Sequence, residues 1–196
     1  MRLQARMQRD ALASTDRMRW SASIAAAIYD HFVQALAPSA IVAVYAAKGS
    51  EVDLSWLCEK AASRGVRFAY PRVLRGSRVL EFALANAPHD FVAGAFGLTE
   101  PAPHTTVVAL AEIAMFVVPA LALDRAGRRL GWGKGYYDAT LLQAANTPRI
   151  GAIFDSQWVP MIATAPHDQR MDAIVTQHEV VHLSQRMAGH DGSGCV

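Results

Sequence analysis

Residues 127–138, Gly127-Arg-Arg-Leu-Gly-Trp-Gly-Lys-Gly-Tyr-Tyr-Asp138, carry the densest chemistry in the chain. Glycines alternate at 131, 133 and 135, with Arg128, Arg129 and Lys134 around them. Glycine lets the backbone take positive φ and lets a ligand approach the peptide N–H groups closely. Amides turned into one concavity form an anion nest, to which the cations add charge. Tyr136 to Leu142 reads as a helix, whose N-terminus contributes further partial positive charge. The segment is therefore read as a phosphate-binding loop, and the carboxylate of Asp138 that closes it can hold Mg²⁺. It is neither of the two common phosphate motifs. A Walker A loop needs Ser or Thr where this chain has Gly135 and Gly where it has Arg128. The dinucleotide fingerprint needs Gly where Tyr136 stands. By composition alone, the same stretch also reads as a glycine-rich turn with solvated charges.

Other residues offer partners for that loop. Glu51 follows an apolar run and precedes a helix; it reads either as a solvated loop carboxylate or as an acceptor for the N–H groups of a polar heterocycle. Asp168, in Pro166-His167-Asp168, is a turn residue or a second carboxylate beside Asp138, and one or two carboxylates plus phosphate oxygens are the usual supply for Mg²⁺. Trp132, Tyr136 and Tyr137 can stack a planar ring or belong to the core; Trp132, between two glycines, is badly placed for a core. His178-Glu179-Val180-Val181-His182 fits the H-E-x-x-H pattern of zinc hydrolases. That chemistry needs a helix, whereas the flanks here are β-branched and strand-like. The third ligand would have to come from His190 or Asp191 near the end of the chain.

These residues need elements to position them. The first 37 residues read as helices: Arg2 and Arg6 share a helical face. After a break near Ser14-Thr15-Asp16, Trp20, Ile24, Ile28, Phe32 and Leu36 recur every four residues up to Pro38. Strands are expected at Ser39–Ala46, Val66–Tyr70, Leu80–Leu84, Ile113–Val118, Arg149–Phe154, Ala173–Thr176 and Val180–Leu183. A helix capped by Asp53 and stopped by Gly65 lies between the first two, with Leu54, Leu57 and Ala61 on its buried face. Residues 86–106, rich in proline, read as irregular. Strands alternating with helices predict a single-domain, doubly wound, mainly parallel α/β sheet with a helical N-terminus over residues 1–188, followed by a disordered tail at 189–196. In such sheets ligands bind beyond the C-terminal strand ends. Glu51 and the glycine loop both follow strands and so fall there.

Composition narrows the classes. The 196 residues are 52% hydrophobic and 18% charged, an ordinary globular balance. A net charge of +2 gives no basis for nucleic-acid binding, and no apolar run reaches the length of a membrane span. Two cysteines, Cys58 and Cys195, make no disulfide framework, which fits a reducing compartment. Arg2, Arg6, Arg9, Arg17 and Arg19 against only Asp10 and Asp16 also match the composition of an organellar transit segment, so the cytoplasm is expected with the mitochondrion as the alternative.

The order of motifs resembles the 5-formyltetrahydrofolate cyclo-ligase family from residue 2 to about 183. The most specific part is the block from Val118-Pro119 through Asp124 and Arg129 to Asp138. Glu51-Val-Asp53, Tyr70-Pro71-Arg72, Phe96-Gly97-Leu-Thr-Glu100-Pro101 and His167-Asp168-Gln-Arg-Met-Asp172 match as well. The resemblance implies conversion of 5-formyltetrahydrofolate and ATP to 5,10-methenyltetrahydrofolate, ADP and phosphate with Mg²⁺, by a protein expected to be monomeric. It implies ATP contacts from Arg2, Arg6 and the run Arg129, Leu130, Gly131, Trp132, Gly133, Lys134, Gly135, Tyr136 and Tyr137. Folate would meet Glu51 and Trp132 to Tyr136, Mg²⁺ would meet Asp138 and Asp168, and Lys134 would face the transferred phosphoryl group. Four positions depart from the family pattern: Arg2 for Lys, Ala120 for Gly, Leu123 for Phe, and Trp132 where Tyr or Arg is usual. A non-catalytic folate- or nucleotide-binding relative is the alternative within the family, and a zinc hydrolase using His178, Glu179 and His182 the alternative outside it.

Overall fold

The computed structural model describes residues 1–183. Helix α1 (Arg2–Asp10) is followed by α2 (Ser14–Ile28), which runs into a π turn at Tyr29–Val33. The break falls at residues 11–13, just ahead of Ser14. A stripe repeating every four residues drifts around an α-helix of 3.6 residues per turn. The wider π turn, with Gln34 N–H donating to the Tyr29 carbonyl at 2.8 Å, takes up part of that drift. Ile24, Ile28 and Phe32 are buried as a result, with Trp20 and Leu36 against the same core.

The remaining elements are β1 (Ile41–Ala43), α3 (Ser55–Ala62), β2 (Arg67–Arg72), β3 (Glu81–Leu84), β4 (Phe91–Ala93), β5 (Thr99–Pro101), β6 (Val107–Val108), β7 (Ile113–Pro119), β8 (Ala122–Leu123), β9 (Arg129–Leu130), α4 (Tyr136–Gln143), β10 (Arg149–Ala152), β11 (Ala173–Val175) and β12 (Val180–His182). The N-cap of α3 is Leu54 and not Asp53 as expected. Asp53, one residue earlier, accepts from Ser55 N–H at 2.8 Å and Ser55 Oγ at 2.6 Å in the turn that leads into the helix, and Gly65 follows the helix at φ +82°.

Eight strands form the main sheet in the order β12-β11-β10-β7-β1-β2-β3-β6. The middle five, β11 to β2, are parallel; β12 pairs antiparallel with β11 and β3 with β2, and β6 pairs antiparallel with β3 and so runs with the central strands. The doubly wound core is the expected one, and the antiparallel margins are the difference. Only residues 73–80 join β2 to β3 and 176–179 join β11 to β12, too few for the crossover that a parallel pair requires. Residues 86–106 are less irregular than expected, since β4 and β5 form a separate hairpin.

Side chains alternate along the central strands. Val42, Val117 and Ile150 face the core under α2 and α3, whereas Ile41, Ala43, Phe116 and Val118 face the core shared with Leu141 of α4. The chain leaves β1 toward β2 on one side and β7 toward β10 on the other. The topological switch therefore lies between β1 and β7, and their C-terminal ends open the crevice where ligands bind in this architecture. No helix among the described residues is long and apolar enough to cross a membrane. The tail at 189–196, and the end of the domain at 188, fall outside the described residues.

Candidate active site

Beyond β1 the chain turns at Gly49 (φ +64°) and delivers Glu51 to the crevice. Its Oε2 accepts from the Lys48 amide at 3.0 Å and its Oε1 from Trp132 Nε1 at 3.1 Å, across 81 residues. Arg9 Nη1 stands 3.6 Å from the same Oε1. Tyr45 donates its hydroxyl to the Val52 carbonyl at 3.0 Å and pins the far side of the turn; burial pushes that phenol well above its ordinary pKa. Trp132 is 46% exposed, so it is not core. The guanidinium groups of Arg6 and Arg9 each lie 5.7 Å from its ring centroid. A cation over an aromatic face is attracted by the ring quadrupole, and the two guanidinium groups help to hold an exposed indole in place.

The glycine loop follows the β8–β9 hairpin, which Asp124 organises. This buried carboxylate accepts from the amides of Ala126 and Arg128 at 3.0 Å each, and from Ile162 N–H at 2.9 Å. Arg128 is bound to it at 3.4 Å, so it serves the hairpin and not the anion nest suggested by its sequence position. Arg129 lies beneath Gly131. Its Nη2 meets both oxygens of Asp138 at 3.1 Å and its Nη1 the Pro119 carbonyl at 3.4 Å. Arg2 Nε donates to the Gly131 carbonyl at 3.0 Å, which seats α1 on the loop. Gly133 and Gly135 take φ of +87° and +73°. Among the described residues, none of the amides from 131 to 135 donates to another group of the chain. They are free for an anion at the N-terminal end of α4.

Asp138 and Asp168 flank one backbone amide: Gln169 N–H donates to Asp138 Oδ1 at 3.3 Å. Asp168 accepts from Ala165 N–H through Oδ2 at 2.7 Å. Their side chains keep 18% and 32% exposure, so each retains oxygen lone pairs toward solvent. Two part-exposed carboxylates next to a run of free amides suit a hard divalent ion shared with phosphate oxygens, with Arg129 as the present partner of Asp138.

Between the Glu51 corner and the glycine loop lies a cavity of about 340 Å³. Pro71, Val73, Leu80 and Pro119 give it apolar walls, while Glu51, Arg129 and Lys134 supply charge. That mixture suits a small-molecule site. Tyr136 and Tyr137 line it and pack on the core. The Tyr137 hydroxyl is buried with no partner among the described residues, and burial pushes its pKa up. Exposed Lys134 has its Nζ 5.1 Å from the ring centroid of Phe96. Phe96 occupies the left-handed region at φ 57°; Lys48 Nζ donates to its carbonyl, and Glu100, below it, accepts from the Ala95 amide at 3.2 Å. A non-glycine, aromatic residue in this conformation is uncommon, and here hydrogen bonds fix the carbonyl of Phe96 and the amide of Ala95 on either side of it.

Of the site residues expected from the sequence, Glu51, Arg129, Gly131, Trp132, Lys134, Gly135, Tyr136 and Tyr137 line the cavity, and Arg2 and Asp138 bond to residues that do. Leu130 instead packs away from the cavity with Leu121 and Ile162, and Gly133 lies off the wall between two lining residues. Arg6 reaches it only through the Trp132 ring and Asp168 through the neighbouring Gln169. The zinc alternative is corrected. His178 to His182 leave a turn and enter β12, so the two imidazoles do not share a helical face; Glu179 is paired with Arg125 at 2.6 Å. No group of three metal-ligating side chains occurs among the described residues. Arg9, Lys48 and Phe96 were not assigned to the site from sequence. Phe96 stands in a motif already matched, whereas Arg9 has no local signal to set it apart from its neighbouring arginines.

A model of the 5-formyltetrahydrofolate cyclo-ligase family matches residues 1–177. The 5-formyltetrahydrofolate cyclo-ligase of Mycolicibacterium smegmatis is 34% identical over 140 residues, 69% of this chain and 72% of that one. The Escherichia coli protein of the same name is 30% identical over 144 residues, 71% and 79% of the two chains. The solution structure of Aquifex aeolicus 5,10-methenyltetrahydrofolate synthetase superposes with a TM-score of 0.78 at 27% identity, over 93% of this chain and 90% of that one. With the cavity at the switch point and the motif order along the chain, these matches make the protein a member of the 5-formyltetrahydrofolate cyclo-ligase family.

Proposed function

We infer that the chain converts 5-formyltetrahydrofolate and ATP to 5,10-methenyltetrahydrofolate, ADP and phosphate. A formyl amide oxygen is a poor leaving group, so activation by phosphorylation is the chemically sensible route. The formyl oxygen attacks the γ-phosphorus and ADP departs. N10 then adds to the formyl carbon, loses its proton to solvent, and the C–O bond breaks to release phosphate. Such a transfer is catalysed mostly by positioning and charge stabilisation. On this reading the amides of 131–135 and Arg2 hold the phosphates, Lys134 faces the transferred group, and Glu51 accepts N–H bonds from the folate ring. Asp138 and Asp168 would hold Mg²⁺, which neutralises phosphate oxygens when bound.

The observation that carries this reading is that Trp132, in the phosphate loop, is bonded to Glu51, in the folate corner, at 3.1 Å across one cavity. Two substrates that must react with each other need such adjoining half-sites. The reading is tested by following methenyltetrahydrofolate absorbance with purified protein. Product is expected only when 5-formyltetrahydrofolate, ATP and Mg²⁺ are all present. Tight folate binding without turnover would mark a non-catalytic relative instead. The same reading takes the protein to be a cytoplasmic monomer; light scattering during size exclusion checks its mass.

A further inference from the structure

Arg9 is buried, at 2% exposure, near the end of a helix whose other arginines reach solvent or the site rim. Burying a guanidinium is costly unless it is paired. Its Nε donates to Ser50 Oγ at 3.0 Å and its Nη1 faces Glu51 Oε1 at 3.6 Å. Ser50 in turn donates to Asp10, which holds that carboxyl below its ordinary value. The run Asp10–Ser50–Arg9–Glu51 therefore ties the C-terminal end of α1 to the turn that presents Glu51.

The groups holding Glu51 differ in kind. The Lys48 amide belongs to the same turn and moves with it. Trp132 Nε1 comes from a ring that is 46% exposed and occupies an acceptor that folate N–H groups would use, so it is exchangeable. Arg9 alone among these contacts is buried and comes from another element. We propose that Arg9 is a positioning residue: by gripping Ser50 and Glu51 it fixes the Glu51 carboxylate for folate while Trp132 gives way. The proposal rests on the folate role assigned to Glu51 above.

The test is steady-state kinetics of Arg9→Met, Arg9→Lys, Ser50→Ala, Glu51→Gln and the Arg9→Met/Glu51→Gln double variant. Arg9→Met is expected to raise KM for 5-formyltetrahydrofolate about tenfold, with KM for ATP within about twofold and kcat within about threefold. Arg9→Lys keeps the charge without the two-pronged geometry, so it falls between wild type and Arg9→Met. Ser50→Ala moves folate KM in the same direction with Arg9 intact, and carries the test with Arg9→Lys if Arg9→Met does not fold. The double variant is no worse for folate than Glu51→Gln alone, because Arg9 acts through Glu51. A folate KM unchanged in Arg9→Met but raised in Glu51→Gln overturns the positioning role. A parallel rise in both KM values also overturns it, since that reports loosening of α1 as a whole. If Glu51→Gln leaves folate KM unchanged, the role of Glu51 itself fails, and the role of Arg9 with it.

Discussion

Replacing the loop glycines by alanine one at a time separates backbone conformation from contact. At Gly135, φ is +73° and an added methyl group meets nothing within 4 Å. Gly135→Ala therefore costs only the left-handed conformation, about 1–2 kcal/mol for an L-residue. Gly131 needs no left-handed backbone, yet its Cβ would lie 2.5 Å from Arg129 Nη1. The guanidinium cannot step aside freely, because it is 6% exposed and bound to both Asp138 oxygens. Displacing it breaks that pair, at about 3 kcal/mol, the lower end for buried pairs because Asp138 retains some exposure. In a domain of this size 1 kcal/mol shifts Tm by about 2–4 °C, giving losses of about 2–8 °C for Gly135→Ala and about 6–12 °C for Gly131→Ala. Whatever part of this cost the free loop escapes by relaxing is absent from the Tm loss and reappears when phosphates draw the loop back, so KM for ATP rises by up to the same energy in its place, about 5–30-fold. Thermal unfolding followed by circular dichroism, with ATP titrations at saturating folate, measures both effects. A Gly131→Ala protein melting within about 1 °C of wild type would refute the assignment of Arg129 as a wedge under the loop.

Lys134→Ala, at an exposed position, is expected to leave Tm unchanged and lower kcat by about a hundredfold or more; near-normal turnover rules out its role at the transferred phosphoryl group. Asp124→Ala strands the buried Ile162 amide, removes the acceptor of the Ala126 and Arg128 amides and leaves the Arg128 side chain without its carboxylate. It is expected to cost about 3 kcal/mol or more by urea denaturation, and a loss under about 1 kcal/mol would mean the hairpin does not depend on it. Arg125 holds the Glu179 carboxyl below its ordinary pKa. A depressed folded pKa adds stability that is present above the unfolded value, about 4.3, and disappears as pH falls through the lower folded one. Wild type should therefore exceed Glu179→Gln in stability at pH 7 and match it near pH 3; a gap that persists in acid contradicts the ion pair.

Much of the site is legible in the sequence because its chemistry is local. Glycines at alternate positions, Lys134 among them and Asp138 at a helix start form one contiguous signal, and apolar runs of strand length place the loop beyond the C-terminal end of a strand. Arg9 shows the limit. It is one of five arginines among the first nineteen residues, and only a contact across 41 residues, to Ser50, makes it a buried group instead of a solvated one. Arg128 errs the other way: it looks like part of the anion nest, but the buried Asp124 four residues earlier takes it. The antiparallel directions of β3 and β12 were hidden for a related reason. An apolar run reveals a strand but not its direction, which here follows from connection length.

The contact between Arg2 and the Gly131 carbonyl spans 129 residues, and this separation has a consequence in time. Apart from Ala5, α1 buries no apolar side chain, so it has little to hold it before its partners exist. At synthesis rates of about 5–20 residues per second, α1 waits roughly 6–26 s for the loop it rests on. Glu51 and Ser50 are made earlier and can capture Arg9 first. The two halves of the pocket thus meet α1 at different times: Ser50 and Glu51 are available to Arg9 early, whereas the packing of Ala5 on Leu121, Leu130 and Ile162 and the seat of Arg2 on the loop wait for the later chain.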